Sequence, residues 1–363
     1  MDNSILPFVQ HPIHDNMDYE KDQPELIKKA IEISNGDALI ALIYIVTCLA
    51  HEGINVEFEM IFTIPAFLLA TIKLPIVECE QKNKLGYYVI WGDGKTTHNI
   101  AEHTFESSPV IKQYRVRFFG MGIAGFCFGY DEEPDFGFSD LGFYNPDDVG
   151  DLDDDVYVED NYFRECLTHV ISFGRLGCNF TSLENAFTMC QKNFSVPDYL
   201  PSNITHIHSM FYGCTLFNQP LNTWDVSNVL TIHNLLANCD NFNQPLQWNT
   251  SKIQDMSYMF QHCVSLNQDI QLDTSNVIRM DEMFYNCSIF NGKLEFNDTS
   301  NVKSMKRMFM KCEYFNQNLT DWNVQNIDDA LGMFVGCDIA KENKPIFKNV
   351  VYDDVEDKDD DDE

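Results

Sequence analysis

The side chains able to do chemistry in this 363-residue chain are twelve cysteines, ten histidines and 56 carboxylates, set against only 24 Lys and Arg. Seven cysteines, Cys190, Cys214, Cys239, Cys263, Cys287, Cys312 and Cys337, follow one another at intervals of 24 or 25 residues. No C-x-x-C pair occurs, and a tetrahedral metal site needs four ligands converging on one point. One thiol per period forms a row instead, so these residues read as small apolar fillers of an inward corner and as free thiols. A second group, Asp93 with His98 and His103, has the residue types of an acid/base pair. No nucleophile or third group stands near it, so its reading is structural. The acids Asp151, Asp153, Asp154, Asp155 and Glu159 resemble a calcium loop loosely, but Val156 stands where such a loop needs Gly. They read as a solvated linker. The phosphate-binding pattern G-x-x-x-x-G-K-[ST] is absent. No catalytic residue, cofactor or metal ligand is therefore assigned, and the chain reads as non-enzymatic.

The elements that position these residues repeat. Each cysteine closes a short block: AFTMC with Phe187, MFYGC with Phe211, LLANC ending at Cys239, MFQHC with Phe260, MFYNC with Phe284, MFMKC with Phe309 and MFVGC with Phe334. A second block, of the type FNQPL, follows and carries Asn218, Asn243, Asn267, Asn291 and Asn316. A third, of the type WDVSNV, includes Trp224–Val229 and its counterpart ending at Val277. A fixed period near 25 residues predicts coils that bury their apolar faces only by stacking. Within one unit Val277, Met280, Phe284 and Cys287 recur at i, i+3, i+7 and i+10, which predicts a short helix with Ser275 as its N-cap. That register turns Phe284 inward and Tyr285 away from the stripe. The asparagines predict a ladder that satisfies backbone groups at the bends. The expected architecture is α/β, a right-handed superhelix of helix–strand coils.

These units resemble the BspA-like leucine-rich-repeat family in its roughly 25-residue variant, described in bacterial surface proteins and large DNA viruses. Upstream, Trp91, Gly92, Asp93 and Gly94, followed by His103 and later Tyr114 and Val116, are similar to the WGDG module that often precedes those repeats. The stretch from Leu167 to Gly174 resembles the family's entry into its first repeat. The resemblance implies a small β-sandwich-like domain before a leucine-rich-repeat-like solenoid, and an interaction role without catalysis. Read without the family, the glycines at 92 and 94 suit a tight turn after a half-buried strand.

The remaining segments are read from composition. Leu26, Ile27, Ala30 and Ile31, then the apolar run 38–50 after Asn35, Gly36 and Asp37, predict an N-terminal helical hairpin. That run and the one at 60–74 are shorter than the roughly 18–20 residues of a bilayer span. The expected domains are a helical segment at 1–55, the WGDG domain at 56–130, an acidic linker at 131–162, the repeat solenoid at 163–345 and an acidic disordered tail at 346–363. A formal net charge of −32 repels phosphate backbones and anionic lipid, so nucleic acid and membrane are not expected partners. The expected function is a scaffold that binds a protein or a glycan on the solenoid face. The alternatives are a structural component of a large DNA virus particle and an enzyme with a site at the sandwich–solenoid junction. With no basic and apolar leader at its start, the chain is expected in the cytoplasm, in host cytoplasm or virion if viral, or at a cell surface by a route without a signal peptide. The pattern leaves the oligomeric state open.

Overall fold

A computed structural model describes residues 58–78, 87–120, 123–126, 162–173, 181–190 and 192–348. The first part is an antiparallel sheet. Strand β1 (Phe58–Ile64) is rich in aromatic and β-branched residues, and Phe58, Met60, Phe62 and Ile64 are buried on its inner face. β2 (Ala70–Lys73), β3 (Ile76–Glu78), β4 (Tyr87–Ile90), β5 (Thr96–His98), β6 (Glu102–Phe105), β7 (Lys112–Gly120) and β8 (Ile123–Phe126) follow. After a four-residue helix α1 (Phe163–Cys166), β9 (Leu167–Phe173) returns to pair with β1. The five-stranded order is β5-β4-β7-β1-β9, with β2–β6 and β3–β8 as separate two-stranded pairs. Phe105 of β6 stacks on Tyr114 of β7 at 4.2 Å, which seats the β2–β6 pair on the sheet. The stretch resembling a repeat entry is thus an edge strand of this sheet. It also reaches forward, since the Val170 amide donates to the Ser195 carbonyl at 2.7 Å.

The second part is a stack of seven turn-rich units. Parallel bridges link Ser182 to His206 to Thr231, and Asp255 to Arg279 to Ser304 to Asp329. Three short parallel strands, β10 (Leu246–Trp248), β11 (Ile270–Leu272) and β12 (Leu294–Phe296), form a strip along the middle units. The expected α/β class is overturned. Among the described residues the fold is strand and turn, and α1 is the only α-helix, so the stacked units are not the helix–strand coils of the expected right-handed, leucine-rich-repeat-like solenoid. The expected N-terminal hairpin at 1–55 lies outside the described residues, as do the acidic stretches 131–161 and 349–363.

Backbone hydrogen bonding gives the reason the helix fails. From Met280 to Asn286, alternate amides leave the unit: Met280, Glu282, Phe284 and Asn286 donate to the carbonyls of Ser304, Lys306, Met308 and Met310 at 2.8–3.0 Å. The amides of Met283, Tyr285 and Cys287 close i→i−3 turns, as Tyr285 does to Glu282 at 3.0 Å and Cys287 to Phe284 at 3.0 Å. None of these seven amides is left for an i→i−4 ladder. Such a ribbon needs two left-handed residues per unit, four apart, at 185/189, 209/213, 234/238, 258/262, 282/286, 307/311 and 332/336. Eleven of these fourteen are not glycine, including Tyr258, Glu282 and Lys311, and each costs about 1–2 kcal/mol. In the first six units every one of them donates its amide to the next unit, which offsets that cost. In the seventh, after which no further unit stands among the described residues, both positions are glycine, Gly332 and Gly336.

One apolar core runs through both parts. Phe126 of β8 lies 6.1 Å from Phe187 of the first unit, and Phe173 of β9 meets Trp224 edge-on at 5.8 Å. Along the stack Phe260, Phe284, Phe309 and Phe334 form a column of near-parallel rings 5.3–5.9 Å apart. Tyr285, expected off the apolar stripe, is only 3% exposed. In a turn ribbon residues 284 and 285 do not lie 100° apart as on a helix, so both are enclosed.

Candidate functional site

The residues that repetition singles out face inward and hold the stack together. Phe187, Phe211, Phe260, Phe284, Phe309 and Phe334 are buried, as are Cys190, Cys214, Cys239, Cys263, Cys287 and Cys312, while Cys337 is half-buried. Each thiol from Cys214 to Cys312 donates to a backbone carbonyl one unit earlier: Cys214 to Phe187, Cys239 to Phe211, Cys263 to Leu236, Cys287 to Phe260 and Cys312 to Phe284, at 2.9–3.1 Å. At the end of the row Cys337 reaches Phe315 instead, at 3.6 Å. Burial pushes the Cys190, Cys239, Cys287 and Cys312 thiols well above their ordinary range, and raises Cys166 to about 11. A protonated, enclosed thiol is neither a nucleophile nor a metal ligand.

The third block is equally committed. The Asp225, Asn249, Asp273, Asp298 and Asn323 side chains each accept an amide two residues on, forming Asx turns. Ser275, expected as a helix cap, sits in such a turn, and its carbonyl accepts from Asn301 Nδ2 at 2.7 Å. The asparagine ladder is present: Asn218, Asn243, Asn267 and Asn291 each accept, through Oδ1, the amide of the next asparagine at 2.8–3.0 Å, and Asn316 accepts that of Ala340 at 2.8 Å.

The WGDG motif builds a hairpin between β4 and β5. Gly92 has φ +82°, and a Cβ there would sit 2.6 Å from the Arg115 carbonyl oxygen. Asp93 accepts the Lys95 amide at 3.0 Å and contacts His103 Nε2 at 2.8 Å. Partial burial opposes ionisation of Asp93, but the hydrogen bond from His103, then the Lys95 amide, hold its carboxyl below the usual range. The His103 ring packs against Trp91 at 5.1 Å and Phe105 at 4.8 Å, so the pair pins β6 to the hairpin. His98 stacks on Tyr88 at 4.4 Å and does not join it. Gly94 has φ +94° and open space around it.

What remains for a partner lies on two faces of the stack. On the turn-ribbon face, Glu184, His208 and His233 come together across three units, with His208 Nε2 2.5 Å from Glu184 Oε1 and the two imidazoles stacked at 4.6 Å. Further along, Arg279 forks onto Asp281 at 3.0 and 2.8 Å. None of these was singled out by motif reading. Their signal is positional, since all occupy matching places two to four residues into each ribbon. On the parallel strip, alternation in β10, β11 and β12 turns Gln247, Gln271 and Glu295 outward in register. With Trp248, Leu272 and Asn297 they line an open groove of about 440 Å³. Among the described residues the side-chain amides of Gln247 and Gln271 make no hydrogen bond, whereas Glu295 pairs with Lys293 at 2.5 Å. Among the described residues no group of three or more His, Cys, Asp or Glu is placed to hold a metal, and no helix is long and apolar enough to cross a membrane.

Comparison with known proteins follows this division of the molecule. No curated protein and no solved structure matches the chain. A family model described as "Mycoplasma protein of unknown function, DUF285" matches residues 181–272 and again 271–356, in keeping with a BspA-like repeat. The stacked units are therefore similar to a repeat family of unknown function.

Proposed function

We propose that this chain is a non-catalytic interaction scaffold that binds a protein or glycan along the groove of the parallel strip. One observation carries the reading. The polar side chains of the repeat motifs are spent within the stack, on carbonyls, Asx turns and the asparagine ladder, while Gln247 and Gln271 stand outward with unused amides. Amides repeating at the roughly 4.8 Å strand spacing suit an extended ligand rich in hydroxyl or backbone amide groups. A ladder of protonated thiols suits a reducing compartment, and we place the protein in the cytoplasm. The test is to pass host extract and a glycan panel over the full chain and over a Gln247→Ala, Gln271→Ala variant side by side. The reading requires a ligand held by the first and lost by the second at unchanged melting temperature. A ligand bound equally by both removes the groove from consideration, and a ligand that is chemically converted establishes an enzyme.

A further inference from the structure

The groove on the parallel strip has two polar walls. One is the column Gln247, Gln271 and Glu295, and the other is the column Asn249, Asp273 and Asn297, two residues further along the chain in each unit. Two extended residues separate the walls by about 6.7 Å, and successive members of each wall stand about 4.8 Å apart. The second wall is tied to the backbone. Asp273 Oδ1 accepts from the Ser275 amide at 3.0 Å, Ser275 Oγ at 2.7 Å and Asn297 Nδ2 at 2.8 Å. Asn297 Oδ1 accepts the Thr274 amide at 2.7 Å, and Asn249 Oδ1 the Ser251 amide at 3.2 Å. Among the described residues Asp273 Oδ2, Asn249 Nδ2 and Glu295 Oε2 make no hydrogen bond, and neither do the Gln247 and Gln271 amides. Unspent donors and acceptors thus stand on both walls, those of the second already fixed in place, so little ordering is left for binding to cost.

The floor disfavours a peptide. The backbone of β11 pairs with β10 on one side and β12 on the other, while Trp248 and Leu272 turn inward and are buried. A strand-like peptide laid there meets neither unpaired main chain nor pockets for alternate side chains, its two sources of affinity and specificity. Its spacing is wrong as well. An extended peptide repeats one face about every 6.7 Å and loses register with a 4.8 Å column within two steps. A straight sugar chain has the matching form. A pyranose linked through equatorial oxygens advances by close to one strand spacing, and its hydroxyls, each both donor and acceptor, leave the ring edge on both sides. Charge narrows the choice further. Asp273 and Glu295 are the ionisable groups lining the groove, in a chain of net charge −32, so uronic acids and sulfated sugars are repelled.

We infer that this groove takes an uncharged, straight, β-linked glycan, laid along the axis of the stack with one sugar ring on each of the three strands. The inference rests on the groove being the ligand site, as proposed above, and narrows the ligand to one class. The central ring lies on β11, between Gln271 and Asp273. Titration calorimetry on the full-length chain tests it with the β-linked trimers cellotriose, chitotriose, mannotriose and xylotriose. At least one should bind about tenfold or more tighter than its monosaccharide, with little further gain from a longer chain, because the strip is three strands wide. Gln271→Ala should weaken that trimer about fivefold at unchanged melting temperature, and adding Gln247→Ala should weaken it further. Maltotriose, whose α-links bend the chain, and a β-linked trimer of glucuronic acid should bind about tenfold more weakly. Failure of all four trimers to bind overturns the inference. So does equal binding of maltotriose or of the uronic acid trimer, or a trimer held equally by the double variant. A protein from host extract that is held by the native chain and lost by the double variant would then keep the groove as the binding site while removing the glycan. If no ligand of either class is lost on mutation, the groove falls as well.

Discussion

The sheet at 58–173 and the stack at 181–348 share one core but satisfy their backbones in different ways. In the sheet, strands pair with strands and side chains are left to pack, as Phe58 does between Phe118 and Phe126 at 4.7 Å each. Its non-glycine left-handed residues are Phe67 and Asn99 alone among those described. In the stack, two left-handed residues per unit aim amides at the next unit, and side chains finish what the backbone leaves open at the bends. Asn, Cys, Asp and Trp become structural there because each has a donor or acceptor at the right height, as when Trp248 Nε1 donates to the Leu221 carbonyl at 2.9 Å. A sheet tolerates many sequences of one pattern, whereas a turn ribbon prescribes residue types one position at a time.

The sharpest way to break this contrast is to open a cavity in the stack. Phe284→Ala should cost about 3–5 kcal/mol, because the ring is fully buried between Phe260 and Phe309. Hydrogen exchange should show protection lost first in residues 260–310, with the sheet nearly unchanged, since stacked units couple mainly to their neighbours. Uniform loosening of sheet and stack would mean that the shared core makes them one cooperative body. In the sheet, Gly92→Ala combines a left-handed φ with a Cβ driven onto the Arg115 backbone, and should cost about 2–4 kcal/mol. Gly336→Ala has the same φ problem but no contact closer than 3.6 Å, so its loss in a denaturant titration should be about 1–2 kcal/mol.

Side-chain ladders make a smaller and more local prediction. Asn267→Ala removes the acceptor for the Asn291 amide and should cost about 1–2 kcal/mol, with the fastest-rising exchange at that amide. No change there would mean that water replaces the side chain and that the ladder is decorative. The smallest expected effect is of pH. Burial, then the neighbouring charges of His208 and Arg279, outweigh Asp255 and Glu184 to hold His233 below its ordinary 6.5, and burial does the same to His262. Both take up protons more readily when unfolded. Their contribution is complete above pH 6.5 and declines as pH falls through the folded values. The melting temperature of the stack should therefore drop between pH 7 and pH 5.5, while the Asp93–His103 lock of the sheet holds, because the hydrogen bonds to Asp93 keep its carboxyl below the usual carboxylate range. Replacing both histidines with Gln should abolish the slope.

The period, the unit boundaries, the inward Phe and Cys and the asparagine ladder were legible in the sequence alone. Repetition sets equivalent residues one above another, so a residue type recurring every 24 or 25 places must meet its own kind in the next unit. Only the tertiary structure decided between helix and turn. An i, i+3, i+7, i+10 spacing of apolar residues brings them to one side both on a helix and in a run of i→i−3 turns, so the local pattern around Val277, Met280, Phe284 and Cys287 cannot separate the two. The choice rests on where alternate amides find acceptors, and those belong to a unit 24 or 25 residues away. The same holds for Leu167–Phe173, whose motif suggested a repeat and whose pairing with β1, more than a hundred residues earlier, made it part of the sheet. The carbonyls that stabilise these conformations lie outside any local window of sequence.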